Sequence, residues 1–600
     1  MKASKFARFA IIAISLSASA LSKGSAPASQ KPALRWEPWS DSAFAMARQQ
    51  HKFVLLDLEA VWCHWCHVMY DITYADPDVM RLLQKKYILV RVDQDSRPDI
   101  SNRYQDYGWP ATVVFASDGS EIVKRQGFIQ PAAMASMLQA IIDDPSPGPS
   151  IEKKLALHPP ADASISPNLL TKVKQNYEAQ YDKNADGWSF GHKYLDEESM
   201  EYALRLAAGG DALYQRRTTA TLHNAMALVD PVWGGAYQYS VDGKWSEPHF
   251  EKLISIQSSF IREYSLAYSQ TQKAEYLTTA QAVHNYVRDF LTDKVTGAFF
   301  VSQDADLHDG EDNEPYFKLN DKKRRALGMP RIDTHIYARE NGEMIVALCD
   351  LYAVSGDASA LNEAQRAANW VAHHRSLPDG GFRHDQESTA GPYLADTLSM
   401  GQAFLAMYIV AGDRSDLNAA KDAAGFIQKH FAPAAPGTGY VTAIPQRSTI
   451  TKSLSDRSEN VMLVRFASML AFATQDSRYH TMGAEAMRYL ATPAIALRPL
   501  SAGTLLAHQD FLDAPLHVTI LGGFSDPQAQ ALHTAALRAL TSHELIEWRD
   551  PAANNSLPTA VSYPKLNRAA LFLCTAQACS TPIFHPEDVA AKIQRAQLHH

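Results

Sequence analysis

Cysteine is scarce in this 600-residue chain: only Cys63, Cys66, Cys349, Cys574 and Cys579 occur. So few thiols exclude a fold stapled by a disulfide framework, and each pair has to be read by itself. No run of Lys and Arg reaches five or six residues, and the net charge is only -8. A nucleic acid or a charged membrane surface is therefore not expected as a partner. Long apolar runs are scarce too. One, from Phe9 to Leu21, follows Lys2, Lys5 and Arg8, is too short to span a bilayer, and carries the small-residue site Ala18-Ser19-Ala20. It reads as a cleaved signal peptide over residues 1–20, with an uncleaved anchor as the alternative. Nothing else in the chain offers a long enough uncharged apolar run, so after signal cleavage no membrane contact is expected. The compartment is then periplasmic or secreted, where disulfides persist.

What is present is enough apolar sequence for more than one core, 46% of residues. From Trp36 the pattern alternates helix and strand: a helix over Asp41 to Gln50, strands over Phe53 to Leu58, Ile88 to Val92, Thr112 to Phe115 and Glu121 to Arg125, and a last helix over Pro131 to Ile142. These make a small α/β domain over residues 34–143. A Pro/Ser/Gly-rich linker over 144–160 closes it. From 161 to 500 amphipathic helices alternate with Gly-aromatic loops such as Gly187-Trp188, Gly235-Ala236-Tyr237, Gly297-Ala298-Phe299, Gly380-Gly381-Phe382 and Gly439-Tyr440. Repeated Gly356-Asp357, Gly412-Asp413 and Gln475-Asp476 pairs precede helix openings, which predicts helical hairpins closing into an (α/α)6 toroid, with an open solenoid as alternative. Residues 510–600 predict a small C-terminal α/β region with strands at Val518 to Leu521 and Ala569 to Leu573. The fold class is thus multidomain: α/β, then all-α, then a small α/β appendix.

Chemistry concentrates in Trp62-Cys63-His64-Trp65-Cys66-His67. A C-x-x-C between a strand and a helix puts the first sulfur against unpaired helix N–H groups, which favours its thiolate. Cys63 is expected to be the nucleophile and Cys66 the resolving thiol, with protonated His64 making the pair more oxidising. Asp57 lies on the preceding strand among apolar neighbours, where burial would raise its pKa and let it exchange a proton with Cys66. Pro110, after Trp109, is expected to be a cis-proline that presents backbone beside the disulfide. This arrangement predicts a thioredoxin-like domain. Cys63 to His67 also satisfies the C-x-x-C-H pattern of c-type haem attachment, but no axial partner is evident. A metal site is not expected, because His64 and His67 do not easily turn inward together from adjacent turns. No cofactor is expected either, and Cys349, in an apolar helical run, reads as a buried inert thiol.

These residues resemble the thioredoxin-domain proteins of the spermatogenesis-associated, YyaL-like type. The resemblance rests on Trp65-Cys66-His67-Val68-Met69, Val92-Asp93, Arg97-Pro98-Asp99 and Gly108-Trp109-Pro110, then on Gly234-Gly235, Tyr239-Ser240-Val241-Asp242, Trp245, Pro248-His249-Phe250-Glu251-Lys252, Asp304-Ala305-Asp306, Asn341-Gly342 and Asp396. It implies a thioredoxin-like domain coupled to a six-hairpin-glycosidase-like toroid. Glu340 stands where the family usually has Trp, and the acidic segment after Asp306 departs from the pattern. Cys574 and Cys579 resemble the family's C-terminal pair, to be read as a structural disulfide, a second redox pair or free thiols.

Such a toroid implies a funnel, with His249, Glu251, Asp304, Asp306 and Asp396 as candidate ligand-binding residues. The alternative is that they brace helix starts and turns. The expected function is an exported thiol-disulfide oxidoreductase acting on protein dithiols or disulfides, with the toroid recognising a partner or a carbohydrate. A carbohydrate-active enzyme, hydrolase or epimerase, and a non-catalytic scaffold are the other readings.

Overall fold

The computed structural model describes residues 34–105, 108–151, 157–386, 390–444, 450, 453–539, 541–550, 562–575 and 578–597. The expected signal peptide lies outside them, as does part of the linker.

The N-terminal domain is a five-stranded sheet built from β1 (Trp36–Glu37), β2 (Phe53–Glu59), β3 (Tyr87–Asp93), β4 (Ala111–Phe115) and β5 (Glu121–Gln126), in the order β1-β3-β2-β4-β5. The first three strands run parallel, while β4 and β5 add antiparallel. Central β2 is buried through Val54, Leu55, Leu56, Asp57 and Leu58, which explains its unbroken apolar reading in place of an alternating one. Helix α1 (Asp41–Gln50) packs Phe44 and Ala47 into that core. Helix α2 (His64–Val68) follows β2 after a short loop and passes into a π-turn over Met69–Thr73. Neither that turn nor the two-residue β1 was foreseen; both are too short to leave a periodic signal.

Six inner helices form the ring: Glu197–Ala208, Ile254–Thr271, Ala338–Ser355, Leu394–Ala411, Arg457–Thr474 and Ala502–Leu512. Each packs on the next, and the sixth packs on the first, so the repeat closes and an open solenoid is excluded. Outer helices Ala212–Ala225, Ala274–Phe290, Ala358–His374, Arg414–His430 and Ser477–Leu490 follow the first five inner ones, and Pro167–Ala179 lies against the sixth. The ring therefore runs beyond residue 500, where the sequence reading ended it. Ala502–Leu512 is buried on too many sides to show amphipathic periodicity.

The repeated dipeptides are the hairpin turns themselves. Gly356 and Gly412 take left-handed conformations (φ 73° and 74°) that end inner helices, and Asp357 and Asp413 cap the outer helices that follow. Four of the Gly-aromatic loops at the opposite end are each pinned by one polar side chain of the next inner helix. Gln257 accepts the Ala236 N–H, Asn341 that of Phe299, Thr397 that of Phe382 and Asn460 that of Tyr440. Gly342 lets two inner helices meet, since a Cβ there would lie 2.6 Å from the Ser399 backbone. Trp188, Tyr237 and Phe382 are buried in the hairpin core.

Leu394–Ala411 is also long and apolar enough, by length and composition, to cross a membrane. This corrects the expectation that no second such run exists: its apolarity reflects burial around most of its circumference as an inner helix.

Both mouths of the ring are covered. The α/β domain sits on the N-terminal ends of inner helices, where Asn102 donates to Glu459 (3.1 Å) and Gln105 to Asp456 (2.8 Å). At the other end lies a three-stranded sheet, Leu516–Leu521, Glu544–Arg549 and Ala570–Cys574, with helix Pro527–Arg538. Its strand Glu544–Arg549 was missed from sequence. Tyr408 donates to Glu547 (2.7 Å) and Arg205 to the Ser542 carbonyl (3.2 Å), tying this sheet to the ring. Between the two covers, Glu201 and Asp510 share Arg205 and Arg465, and Arg262 pairs with Glu197 and Asp350. Cys574 and Cys579 are joined as a disulfide, and Cys349 is fully buried in the third inner helix.

Candidate functional site

Cys63 is the N-cap of α2, and its Sγ accepts the Cys66 N–H at 3.2 Å. The two cysteines are joined as a disulfide. The Trp109–Pro110 peptide is cis. Asp57 is buried, accepting from the Tyr74 hydroxyl (3.1 Å) and from Arg91 Nε (3.2 Å). Burial pushes its carboxyl up, and Arg91 and Tyr74 only partly offset that. Arg91, a lone cation inside an apolar strand, is the sequence signal for this ion pair.

The motif's other side chains meet the ring. His64 and His67 sit three apart on one face of α2, and both converge on Asp306: His64 Nδ1 lies 2.7 Å from one oxygen and His67 Nδ1 2.9 Å from the other. The expectation that the two imidazoles would not turn to the same point is thus corrected. Asp306 also accepts from the Gly310 amide (2.7 Å) and from Asn313 (3.0 Å). Burial pushes Asp306 up, but the bonds from His64, His67 and Gly310 outweigh it and hold the carboxyl below the usual range. Burial pulls both imidazoles down, and Asp306, joined at His67 by Asp304 and Asp309, more than reverses this.

His67, Asp304 and Asp306 bring ligand atoms close enough to hold a metal ion. Arg331 occupies the same neighbourhood, 3.0 Å from Asp304 and 3.3 Å from His67 Nε2, and donates to the Val61 carbonyl (2.6 Å). A guanidinium there supplies the positive charge that a cation would otherwise bring. Burial still pushes Asp304 up to about 6.

The remaining ring candidates are divided. Glu251 is buried at the His64 amide, the first N–H of α2; burial pushes it up to about 7, and its Oε2 has no hydrogen-bond partner. His249 stacks on Tyr239 with centroids 4.4 Å apart, 4.0 Å from Glu251, and burial pulls it down to about 4. Asp396 sits elsewhere on the same face, accepting from His384 (2.9 Å) and the Arg339 amide (3.1 Å). His384 in turn reaches the Asp95 carbonyl at 2.7 Å, and Asp95 accepts from Trp62 Nε1 at 2.7 Å. Arg331, Asn313, Asp95 and His384 were not foreseen: Arg331 and His384 reach the α/β domain across hundreds of residues, and Asn313 and Asp95 support groups whose partners lie as far away. Trp65 is the exposed member of the motif and stacks on Phe128.

The consequence is enclosure. Trp62, Cys63 and Cys66 pack with Trp109 and the ring's Leu253, leaving Cys63 only 3% and Cys66 4% exposed.

Residues 25–142 match a thioredoxin-like, DsbH-type family described as a protein of unknown function, DUF255. The chain is similar to human spermatogenesis-associated protein 20, 24% identical over 306 residues, which are 45% of this chain and 39% of that protein. It thus spans about two fifths of the length of that relative. Over 85 residues it is 41% identical to thiol:disulfide interchange protein DsbD 1 of Pseudomonas aeruginosa, 14% of each chain. Among solved structures, D-mannose isomerase is similar over 59% of this chain and 99% of that one, with TM-score 0.44 and 12% identity. Cellobiose 2-epimerase from Bacillus thermoamylovorans is similar over 54% and 86%, with TM-score 0.41 and 12% identity.

Proposed function

We propose that this protein is a thiol-disulfide oxidoreductase of an exported compartment, in which Cys63 exchanges with substrate and Cys66 resolves the mixed disulfide. The observation that carries this reading is the Cys63–Cys66 disulfide at the start of α2, with the Cys63 sulfur already accepting a helix N–H. That bond persists when Cys63 becomes a thiolate and grows stronger with the charge. The likeness to a thiol:disulfide interchange protein supports the same chemistry. Asp57 is a buried carboxyl on the preceding strand, and its raised pKa suits proton exchange with the resolving thiol.

In this reading the ring is a cover docked on the redox motif. Asp304 and Asp306 hold Arg331, His64 and His67, and Asp396 holds His384. Carboxylates so engaged are poorly placed for the acid and base work of a glycosidase or epimerase. A protein dithiol, the partner expected from the sequence, reaches Cys63 only when the ring loops part from α2.

Trapping tests the proposal. Reduced Cys66→Ala protein, mixed with a small disulfide, is expected to accumulate a stable adduct on Cys63 by mass spectrometry, whereas wild type passes through it to the Cys63–Cys66 disulfide. A Cys63 thiol that stays unmodified in the variant, under conditions that oxidise a free thiol peptide, would sink the assignment.

A further inference from the structure

A cavity of about 240 Å³ lies between the α/β domain and the ring, lined on one side by residues that include Trp62, Asp95 and Trp109, and on the other by residues that include Leu253, Arg339 and Glu340. Trp62, Trp109 and Leu253 also pack on the two cysteines, so one layer of side chains separates the cavity from the disulfide.

Glu340 is the unusual group in this wall. It is 8% exposed, and its Oε2 has no hydrogen-bond partner. Its nearest cation, Arg339, is 4.0 Å away and is engaged at 3.0 Å by Glu343. Asp95 is also buried in the wall, accepting from Trp62 and Gln94. A buried carboxyl oxygen that no donor meets is costly. Burial accordingly pushes Glu340 up to about 7 and Asp95 well above the usual range.

Resting on the oxidoreductase reading, we propose that this cavity binds a low-molecular-weight aminothiol as a second reductant of the pair, beside protein dithiols, its ammonium on Glu340 and its sulfur against the Trp62–Trp109 wall. The volume admits a molecule of a few heavy atoms and no peptide chain. When the indoles part, the bound thiolate attacks Cys63 Sγ: the Cys63–Cys66 bond breaks, a mixed disulfide forms on Cys63, and Cys66 leaves as a thiolate. A second thiolate then attacks the substrate sulfur of that mixed disulfide. Two thiols become one small disulfide, two electrons pass to the cysteine pair, and the two thiol protons end on Cys63 and Cys66.

The test compares reduction of the oxidised full-length protein by 2-aminoethanethiol and by 2-mercaptoethanol, each rate expressed per thiolate. In wild type the aminothiol rate is expected to saturate with concentration and to exceed the other about tenfold or more, a difference of about 1.4 kcal/mol. In Glu340→Gln, and in Glu340→Trp, which fills the cavity, saturation is lost and the ratio falls toward one. Equal rates that rise linearly for both thiols in wild type overturn the inference, whatever the variants do, and leave the oxidoreductase reading standing. Failure of both thiols to reduce the pair overturns that reading and this inference with it.

Discussion

Asp306→Ala is expected to speed alkylation of reduced Cys63 about 100-fold. Asp306 is the point where α2 and the ring are fastened, through His64, His67, Asn313 and the Gly310 amide, with its side chain 1% exposed. Removing one partner of a buried charged pair costs about 3–5 kcal/mol, because the other partners are left buried and unmatched. Taking about 3 kcal/mol for docking, the undocked fraction rises roughly 10²-fold, and a reagent that needs undocking reacts faster in proportion. An unchanged rate in a folded variant would mean that the ring does not guard the sulfur. The same clasp fixes a pH window. Asp306 is depressed, so its contribution is present above the unfolded carboxylate pKa near about 4 and is lost as pH falls through its folded value. His64 and His67 are raised, so theirs is complete below about 6.5 and is lost as pH rises through their folded values. Protection of Cys63, corrected for thiolate fraction, should therefore be greatest between about pH 4 and 6.5 in wild type and weaker on both sides. Asp306→Ala should lack that maximum.

Asp230→Ala is expected to destabilise the ring by about 3–5 kcal/mol. Asp230 accepts from Lys252 at 2.8 Å and from Arg324 at 2.6 and 3.1 Å, and both cations are fully buried. Burial pulls Lys252 down to about 8, with Asp230 restoring part of the loss. Without the carboxylate Lys252 can shed its proton, whereas the guanidinium of Arg324 cannot. An uncompensated buried cation costs about 3–5 kcal/mol, which lowers the ring's melting temperature by roughly 5–15 °C. A shift under about 2 °C in differential scanning calorimetry would show that water or rearrangement satisfies Arg324.

The sequence made the redox motif legible because its parts are local: a buried strand, a helix start and a proline turn lie within one small domain. The ring was legible because hairpin turns recur, and each Gly-Asp pair combines a left-handed stop with an N-cap. The clasp was not legible in the same way. Asp304 and Asp306 were singled out for a sugar funnel, yet the chain brings them to residues 64 and 67, and no periodicity encodes that meeting. Pro248-His249-Phe250-Glu251-Lys252 divides its work likewise: Glu251 faces α2 while Lys252 serves the ring's own ion pair. The enclosure of the disulfide follows from these contacts and from Leu253, an ordinary apolar residue in sequence.

The measurement that bears most directly on the redox assignment is the reduction potential of the Cys63–Cys66 pair in the full-length protein, with Cys63→Ser as control. A reversible two-electron couple between about -120 and -270 mV, absent in the control, is the predicted result. A pair that no thiol buffer reduces, or one poised below about -300 mV in the range of structural disulfides, would contradict it.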